Sequence, residues 1–518
     1  MTSGRNLLLI PVAVYLLWAA LFIAMNPGFQ YDEALLVLGG VHMRHSWDPF
    51  PLPQDPGTWI CPMAKCVQLM TVRYVGAIKD YLSLPLFALF GTGAEVVRAL
   101  SAALGALGIW GLGRLIFAQA GRNAGLAVAG VLAMHPAYVD QTVFDNGTVS
   151  VWMGALGVVC LALNRYLETG RGQPAFLLGA ALGFGIWARA NFLWLIMACA
   201  AALAIVLGRR VFVGWRHFSL MAAGGVAGGV PFLLYQVVSG GGTLEAAGMF
   251  ASTEPLLQRH SARLWMFTEV LLTDREHRAI WDGPMVPEWQ RWLFPAILAA
   301  AALACAVGRP GLEGKRLACA RAACLAMLMV LTTMLFTRLP VSEHHLIVLV
   351  PLAVLVVVIG LSGAGKKLAY VLGIVYFASA LWWQALAVEG LHRTGGVGQW
   401  SDAVFGLADF LEEKYNGREI KILDWGLQNN LYVLTDGRIR SREIYGDVGA
   451  EAWPALVRNG GVFLFNGPAN RHFPEATERF QTALQAAGAV SRRYAVRQRS
   501  GAVYAEIVEV EPLQMAPQ

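Results

Sequence analysis

Charged residues are scarce in this sequence. Asp, Glu, Lys and Arg make up 14% of its 518 residues, apolar residues make up 56%, and the mean hydropathy is +0.52. Soluble domains carry about 25% charged residues. The composition therefore excludes an ordinary soluble protein and indicates one that crosses a membrane many times. The net charge of +6 reflects basic residues in cytoplasmic loops, and no nucleic-acid partner is expected.

Cysteines are few, and common nucleotide and metal motifs are missing. Five of the seven cysteines fall in apolar segments and are interpreted as packing residues. Cys61 and Cys66 fall on the predicted outer side, where a disulfide can form. The C-terminal region has no Gly-rich phosphate loop and no Cys/His set with metal-binding spacing. This region is more plausible as a substrate cap or a partner surface than as a second enzyme.

Apolar runs predict about eleven membrane spans, since a span needs about 20 apolar residues. They cover 7–25, 95–117, 123–140, 148–167, 174–188, 191–208, 218–238, 292–308, 318–336, 345–361 and 368–386. The first run is interpreted as an uncleaved anchor, because no small-residue cleavage site follows it. Basic residues such as Arg165, Arg171 and Arg216 gather in alternate loops. By the positive-inside rule, the N-terminus is cytoplasmic and the C-terminal region is extracytoplasmic.

The sequence divides at residue 386. Residues 1–386 are predicted to form the membrane domain, with long outer loops at 26–94 and 239–291, and residues 387–518 a small outer domain. The first loop ends in an amphipathic segment over 73–90, in which apolar residues recur at helical spacing. It is too short to cross the membrane and is expected at the membrane interface. In the second loop, the arginines of 259–278 are interpreted as a solvated face.

The C-terminal region alternates helical and strand patterns, which predicts a small α/β domain with a mixed or parallel sheet. Helices are predicted at 402–415 and near 475–487. Strands are predicted at 419–425, 431–435, 461–466 and 502–510. The fold class is therefore mainly α, a polytopic membrane protein with a small C-terminal α/β domain.

Two adjacent carboxylates, Asp32 and Glu33, stand where the chain leaves the first span, in the string GFQYDEALL. Ionisable groups near a membrane are costly and are functional candidates by default. The alternative is that both cap the following helix, since carboxylates favour helix N-termini. Asp145 precedes the fourth span in FDNG, a turn-forming string that could explain it without a function.

The order of these motifs resembles the GT-C superfamily of membrane glycosyltransferases. The acidic pair is followed by YVGAIKDYLSLPLFALFG (74–91), by RALSAALGALG (98–108) and by HPAYVDQTVFDNGTVSVWMG (135–154). Together they are most similar to the dolichyl-phosphate-mannose protein mannosyltransferases and bacterial aminoarabinose transferases. The similarity covers roughly residues 7–210; beyond it, only the topology and SEHHLIVLVPL (342–352) resemble the family.

The resemblance implies a transferase that moves a sugar from a polyprenyl phosphate to a hydroxyl on a glycan, lipid or protein acceptor, with inversion. Asp32 would be the general base, Glu33 would orient the acceptor or support Asp32, and Asp145 would be a second acidic site residue. Lys79 matches a family lysine that would stabilise the departing phosphate; Arg73, Arg189 and Arg338 are weaker candidates. High Ala, Gly and Arg content indicates a bacterial source, and so a bacterial inner membrane.

Two adjacent histidines, His344 and His345, follow Glu343 at the outer end of the tenth predicted span. Adjacent side chains on a helix face different ways, so at most one of the two is expected to point into the site. It would bond the donor phosphate. No cofactor is required, but a divalent metal is an open alternative, because His345 with Asp32, Glu33 or Asp145 would supply suitable ligands.

Two other classes of function stay open. A secondary transporter or lipid flippase could use proton-coupled carboxylates, although transporters often have internal repeats and charges near the membrane midplane. Here no repeat is evident and the acids gather at the outer mouth. A scaffold that presents the C-terminal region to partners would leave the paired carboxylates and the 73–90 segment unexplained.

Overall fold

The computed structural model describes residues 6–48, 55–208, 214–249, 252–271, 275–284, 287–308, 314–362, 366–446, 449 and 452–512. Most of the chain is helical, as the composition predicts. A small sheet forms near the C-terminus.

The helices of the first half alternate long apolar segments with short outer ones. They are α1 (Leu9–Met25), α2 (Tyr31–Leu35), α3 (Leu38–His45), α4 (Ile78–Phe90), α5 (Ala94–Ala120), α6 (Arg122–Met134), α7 (Pro136–Val143), α8 (Val149–Thr169), α9 (Gly172–Ala188), α10 (Phe192–Leu207) and α11 (Trp215–Val238). The second half continues with α12 (Gly242–Met249), α13 (Leu256–Val270), α14 (Arg275–Trp281), α15 (Glu288–Val307), α16 (Gly314–Phe336), α17 (Glu343–Leu346), α18 (Leu349–Ser362) and α19 (Lys366–Thr394). The C-terminal region holds α20 (Ala403–Tyr415), α21 (Gln428–Leu434), α22 (Trp453–Arg458) and α23 (Pro474–Ala487).

Within the described residues, six helices are long and apolar enough to cross a membrane: α1 with the turn before it, α5, α8, α11, α16 and α19. Five shorter apolar helices, α6, α9, α10, α15 and α18, coincide with the other predicted spans. This is a multi-pass membrane protein. The number of eleven spans stays a prediction, because a helix of 13 residues covers only about 20 Å at 1.5 Å per residue.

Two predicted spans are each divided into two helices. The segment predicted at 123–140 is divided between α6 and α7 at His135, because Pro136 lacks the N–H that would continue the helix. The His135 side chain instead caps α7, accepting from the Tyr138 N–H at 3.4 Å. The segment predicted at 345–361 is likewise divided into the one-turn helix α17 and α18.

The first outer segment is more varied than its pattern predicts. Two short hairpins, β1 (Trp59–Ile60) with β2 (Val67–Gln68) and β3 (Met70–Val72) with β4 (Val75–Gly76), precede α4. A disulfide joins Cys61 and Cys66 across the first turn. The helical prediction for 73–90 is therefore wrong before residue 78. The exposed apolar residues Leu89 and Phe90 give α4 a face suited to lipid.

The C-terminal sheet is mixed, as predicted. Its strands are β5 (Glu419–Ile422), β6 (Arg440–Glu443), β7 (Gly461–Asn466), β8 (Ser491–Arg497) and β9 (Val503–Val510), in the order β6-β5-β7-β9-β8. The strands β6, β5 and β7 are parallel, and β7, β9 and β8 are antiparallel.

One predicted strand of this region is wrong. The run LYVLT (431–435) lies largely in helix α21, because a short apolar run does not distinguish a buried strand from a buried helix. The strand that pairs with β5 is instead β6, whose charged sequence RSRE gives little strand signal. Charged residues are usual on such an edge strand, where they discourage pairing with other chains.

Of the four apolar cores among the described residues, the two largest position the acidic segment. The first joins the membrane helices. The second contains residues of both the first outer segment and the C-terminal region, such as Phe29, Ala34 and Val37 with Leu407 and Ile420. The acidic segment is thus positioned by the C-terminal region as well as by the membrane helices.

Candidate active site

The acidic pair lies in the first turn of α2, and its two members face different surroundings. Gln30 is the N-cap residue: its side-chain oxygen accepts from the Asp32 N–H at 2.5 Å. The Glu33 carboxylate accepts from the Gln30 N–H at 3.2 Å, which completes a capping box. Asp32 is partly exposed and Glu33 is fully buried. The capping interpretation is therefore correct for Glu33.

Glu33 is engaged by one arginine. Nε and Nη2 of Arg98 donate to its two carboxylate oxygens at 3.0 and 2.9 Å, and Arg98 is as completely buried as Glu33. The same guanidinium donates to the carbonyls of Pro27 and Gly28, each at 2.8 Å. Arg98 therefore fixes the chain that enters α2. It was missed in the sequence, although it opens the motif RALSAALGALG at the start of a span.

A second buried ion pair joins α4 to the turn before α8. Nζ of Lys79 donates to Oδ2 of Asp145 at 2.6 Å, with both side chains almost inaccessible to solvent. Asp145 also accepts from the Ser150 N–H and hydroxyl, each at 2.7 Å. The turn interpretation and the site interpretation of Asp145 are thus compatible: the carboxylate caps α8 and holds the Lys79 ammonium.

Arg189 connects this turn to the histidines. It follows the C-terminus of α9, and its guanidinium donates to the carbonyl of Gly147 and lies 3.0 Å from Nε2 of His345. A bridge between its backbone and that of Val75 ties it to the β3–β4 hairpin. Arg189 is buried, so its charge acts on a small, poorly hydrated space.

Both histidines turn toward this space, contrary to the expectation that one would. Their rings lie 4.3 Å apart between centroids, and both contact the hydroxyl of Ser342, which caps the short helix α17. A Cβ atom on Gly147 would come within 2.7 Å of Cδ2 of His344. Glycine at 147, with φ of 83°, therefore permits the close approach of the His344 ring.

Charges from three separate segments meet at His344. Burial and, to a lesser degree, the Arg189 cation lower its pKa to about 3, although the carboxylates Asp32 and Asp145 act in the opposite direction. Burial also lowers the pKa of His345 well below its ordinary value, with Arg189 contributing. Both imidazoles are therefore neutral at physiological pH. Asp32, Asp145 and Arg189 are near enough to His344 to interact with it electrostatically.

Two of the sequence candidates lie in other surroundings. The Arg73 guanidinium pairs with Asp55 at 3.0 Å and with Glu245 at 3.1 Å, so it ties the first outer loop to α12. Arg338 is exposed, and its backbone carbonyl accepts from the Ser252 N–H. Neither position favours contact with a phosphate near Lys79.

Two arginines of α13 were wrongly interpreted as part of a solvated face. Arg259 and Arg263, one helical turn apart, are 7% and 3% exposed. Arg263 donates to four carbonyls at the end of α16 and beyond, including those of Met334 and Leu339. Nε of Arg259 is buried with no hydrogen-bond acceptor among the described residues. The Arg263 charge also lowers the pKa of His345, which places α13 beside the site.

Comparison with known proteins identifies the fold. Residues 79–235 match the family model described as dolichyl-phosphate-mannose-protein mannosyltransferase. A structure of ArnT from Cupriavidus metallidurans bound to undecaprenyl phosphate has a TM-score of 0.58 at 12% identity, and the alignment covers 98% of this chain and 99% of that one. The chain has the GT-C fold. The resemblance read from the motifs is confirmed.

Other GT-C structures are similar over the same length of this chain. AglB from Archaeoglobus fulgidus, in complex with an inhibitory peptide and a dolichol-phosphate, has a TM-score of 0.51 at 14% identity, with coverage of 98% of this chain and 75% of that one. The mycobacterial arabinofuranosyltransferase AftD has a TM-score of 0.51 at 16% identity, with coverage of 98% and 41%. A comparison with curated protein sequences gave no match.

The residues suggested for a metal do not fit one in this GT-C chain. Both carboxylate oxygens of Glu33 are bound by Arg98, and those of Asp145 by Lys79 and Ser150. Nε2 of His345 faces the Arg189 guanidinium, a cation that would repel a second one. Across the described ranges, no three His, Cys, Asp or Glu side chains are grouped to hold an ion.

Proposed function

We propose that this chain is an integral-membrane glycosyltransferase that moves a sugar from a polyprenyl phosphate to a hydroxyl acceptor, with inversion, at the outer face of a bacterial inner membrane. The observation that carries the proposal is the geometry of the 145–147 turn. Asp145 holds Lys79 at 2.6 Å, and the carbonyl of Gly147 accepts from Arg189, which lies 3.0 Å from His345. Asp32 acts electrostatically on the adjacent His344. This arrangement gives one carboxylate that is partly open to solvent and a set of buried cations beside it, which are the two requirements of the reaction.

Asp32 is the proposed general base. The acceptor hydroxyl attacks the anomeric carbon of the donor, the bond from that carbon to the phosphate oxygen breaks, and the hydroxyl proton passes to the Asp32 carboxylate. The attack and the departure occur on opposite faces of the carbon, so one displacement inverts its configuration. Asp32 suits this role better than Glu33, because it is partly exposed whereas Glu33 is buried in its ion pair with Arg98.

Lys79, Arg189 and Arg259 are the proposed contacts of the donor phosphate. Negative charge develops on the phosphate as its bond to the sugar breaks, and buried cations stabilise such charge strongly because little water screens them. Asp145 orients the Lys79 ammonium at 2.6 Å. Arg259 adds a buried guanidinium whose Nε has no acceptor in the described part of the chain, so an anion would satisfy it.

The neutral histidines are proposed to bond the phosphate rather than a metal. A neutral imidazole has one N–H donor, and the Ser342 hydroxyl contacts both rings. The bound lipid phosphates of Cupriavidus ArnT and Archaeoglobus AglB support a lipid-phosphate donor for a chain with the same fold. The membrane part is proposed to extend over 1–386 and the outer domain over 387–518.

The test compares wild type with Asp32→Asn in nanodiscs, using radiolabelled polyprenyl-phosphate sugars and a membrane extract as acceptor. Asp48→Asn, an exposed acid of the same outer segment, is the matched control. We expect at least a hundredfold loss of transfer in Asp32→Asn, in line with the usual contribution of a general base. The control should be unchanged, and a chelator should have no effect. Full transfer by a folded Asp32→Asn variant would contradict Asp32 as the general base. No transfer from any donor, with both proteins folded, would contradict the transferase function and favour a transport function.

A further inference from the structure

Three parallel strands of the C-terminal sheet end at one edge. After β5 come Asp424 and Trp425, β6 ends at Glu443, and β7 ends at Asn466. In open α/β sheets, ligands bind in the crevice beyond the carboxyl ends of such strands. Two of these strand ends meet here, because the side-chain amide of Asn466 donates to the backbone carbonyl of Trp425 at 2.7 Å. We call these four residues the carboxyl edge.

The carboxyl edge packs against the helix that carries the proposed base. The Tyr31 ring lies 4.7 Å from that of Trp425, and the Tyr31 hydroxyl donates to Glu443 at 3.4 Å. Tyr31 is adjacent to Asp32 in the first turn of α2. The aromatic surface formed by Tyr31 and Trp425 is therefore next to the proposed catalytic carboxylate, and both side chains are only partly buried.

Hydrogen bonds extend this contact into a neighbouring loop. Gln30, whose oxygen accepts from the Asp32 N–H, is within 3.5 Å of Gln399, and the Gln399 amide lies 2.7 Å from Nε2 of His472. Oδ1 of Asp424 accepts from the N–H groups of His472 and Phe473 at 3.0 and 3.1 Å. The loop at 472–473 is thus fixed beside Trp425, whose ring is 5.0 Å from that of His472.

A small cavity continues from this loop. Tyr445 and Phe473 stack with their centroids 4.1 Å apart, and they line a cavity of about 210 Å³ together with Trp453, Glu475 and Arg479. Tyr445 follows Glu443 by two residues, so the cavity is close to the carboxyl edge. Asp424, under the same loop, has a fully buried Oδ2 with no partner among the described residues.

We propose that the carboxyl edge and the loop at 472–473 bind the acceptor, and that this acceptor is a carbohydrate. The proposal rests on the transferase function given above. The apolar face of a sugar ring packs on half-exposed aromatic rings, while its hydroxyls bond carboxylates and carboxamides. Trp425 and Tyr31 supply the rings, and Glu443, Gln399 and His472 supply the polar groups. One hydroxyl would then be presented to Asp32.

The charges at this surface argue against an anionic acceptor. Glu443 lies in the contact and accepts from the N–H groups of Gly426 and Gln428, and Asp424 is buried beneath it. Arg471, the basic residue next to His472, is already paired with Glu506 at 3.0 Å. A phosphorylated head group would meet carboxylates here, and like charges disfavour binding. A neutral or amino-bearing sugar meets no such penalty.

The test measures binding and transfer separately. Saturation-transfer NMR on full-length protein in nanodiscs would use three classes of probe. The first is a set of oligosaccharides of mannose, of arabinose and of glucose, the second is a Ser/Thr-containing peptide, and the third is phosphatidylglycerol vesicles. We expect saturation of one oligosaccharide class only, with competition among its members. Trp425→Ala should weaken that binding about tenfold, which is about 1.4 kcal/mol, because it removes the larger of the two stacking rings. Trp425→Phe should restore most of it.

The control is Trp47→Ala, which removes an exposed tryptophan from the first outer segment. In the transfer assay, Trp425→Ala should raise the KM for acceptor about tenfold and leave the KM for donor unchanged. Saturation of the peptide or the vesicles alone, or equal effects of Trp425→Ala and Trp47→Ala, would overturn the proposal while leaving the transferase function intact. Oligosaccharide binding that depends on Trp425, without transfer from any donor, would instead contradict the transferase function.

Discussion

The buried pair of Glu33 and Arg98 should be a structural element, although Glu33 is adjacent to the proposed base. The perturbation that tests this is Glu33→Gln, which keeps the shape of the side chain and removes its charge. Arg98 would then be left fully buried with two carbonyl acceptors and no counter-ion. Breaking a buried pair from one side costs about 3–5 kcal/mol, because the remaining charge is uncompensated.

A double-mutant cycle isolates the interaction. Arg98→Gln should destabilise by a similar amount, because it leaves the Glu33 carboxylate buried and removes donors from Pro27 and Gly28. The double variant carries no buried charge, so its loss of unfolding free energy should be smaller than the sum of the two single losses by about 2–3 kcal/mol. The geometry supports a large coupling, since both oxygens of Glu33 are bonded by one guanidinium at 2.9–3.0 Å.

The assay is a denaturant titration in mixed micelles, followed by transfer activity per folded molecule. Asp32→Asn is the comparison, because it should lose activity and change the unfolding free energy by less than about 1 kcal/mol, the usual size of a carboxylate effect at a helix N-terminus. A Glu33→Gln variant with wild-type stability and no transfer would refute the structural assignment and move Glu33 into the chemistry.

Two further predictions concern buried charges around the site. Burial raises the pKa of Asp80 to about 7 in the folded protein. The folded state therefore binds the proton more tightly than the unfolded state, so Asp80 favours folding most below its unfolded pKa of about 4. As the pH rises from 4 to 7, the free energy of unfolding should fall by up to about 4 kcal/mol. Asp80→Asn should flatten that part of the pH profile of unfolding free energy, because it removes the titrating carboxyl. The variant should still fold, because its amide can donate to Thr71 while Thr71 donates to Gly76. An unchanged profile would contradict the assignment. Arg263→Met should lower the unfolding free energy by about 2 kcal/mol or more, since it removes the donor to four carbonyls at the end of α16. Arg263→Lys, with a smaller donor group, should recover only part of the loss, and full recovery would show that charge alone matters.

The sequence determined the class and the broad plan of this protein. Scarce charge and long apolar runs leave no alternative to a multi-pass membrane protein, because such segments cannot remain in water. Local patterns also predicted α20, α23, β7 and β9 close to their observed bounds. The apolar residues of each element follow a helix or strand pattern that can be read within the element itself. The motifs that resemble the GT-C superfamily lie in short strings that can be read without any knowledge of packing.

The tertiary structure decided which of the candidate residues meet. The pairing of Glu33 with Arg98 joins positions 65 residues apart, and the contact of Arg189 with His345 joins positions 156 apart. A linear pattern carries no signal for such pairs. The burial of Arg259 and Arg263 could not be predicted from the sequence either, because it depends on contact with the end of another helix.

The local breaks were also decided by tertiary contacts. α21 is a helix and not a strand because it packs its buried residues against α2, and both histidines turn inward because the one-turn helix α17 and Gly147 leave room for both rings. Local helix or strand propensity does not specify the helical state of α21 or the direction of the two histidine side chains, since both depend on which neighbouring surface is available for burial. The sequence thus determined that carboxylates and cations lie near the ends of apolar segments, and the fold determined which of them come together.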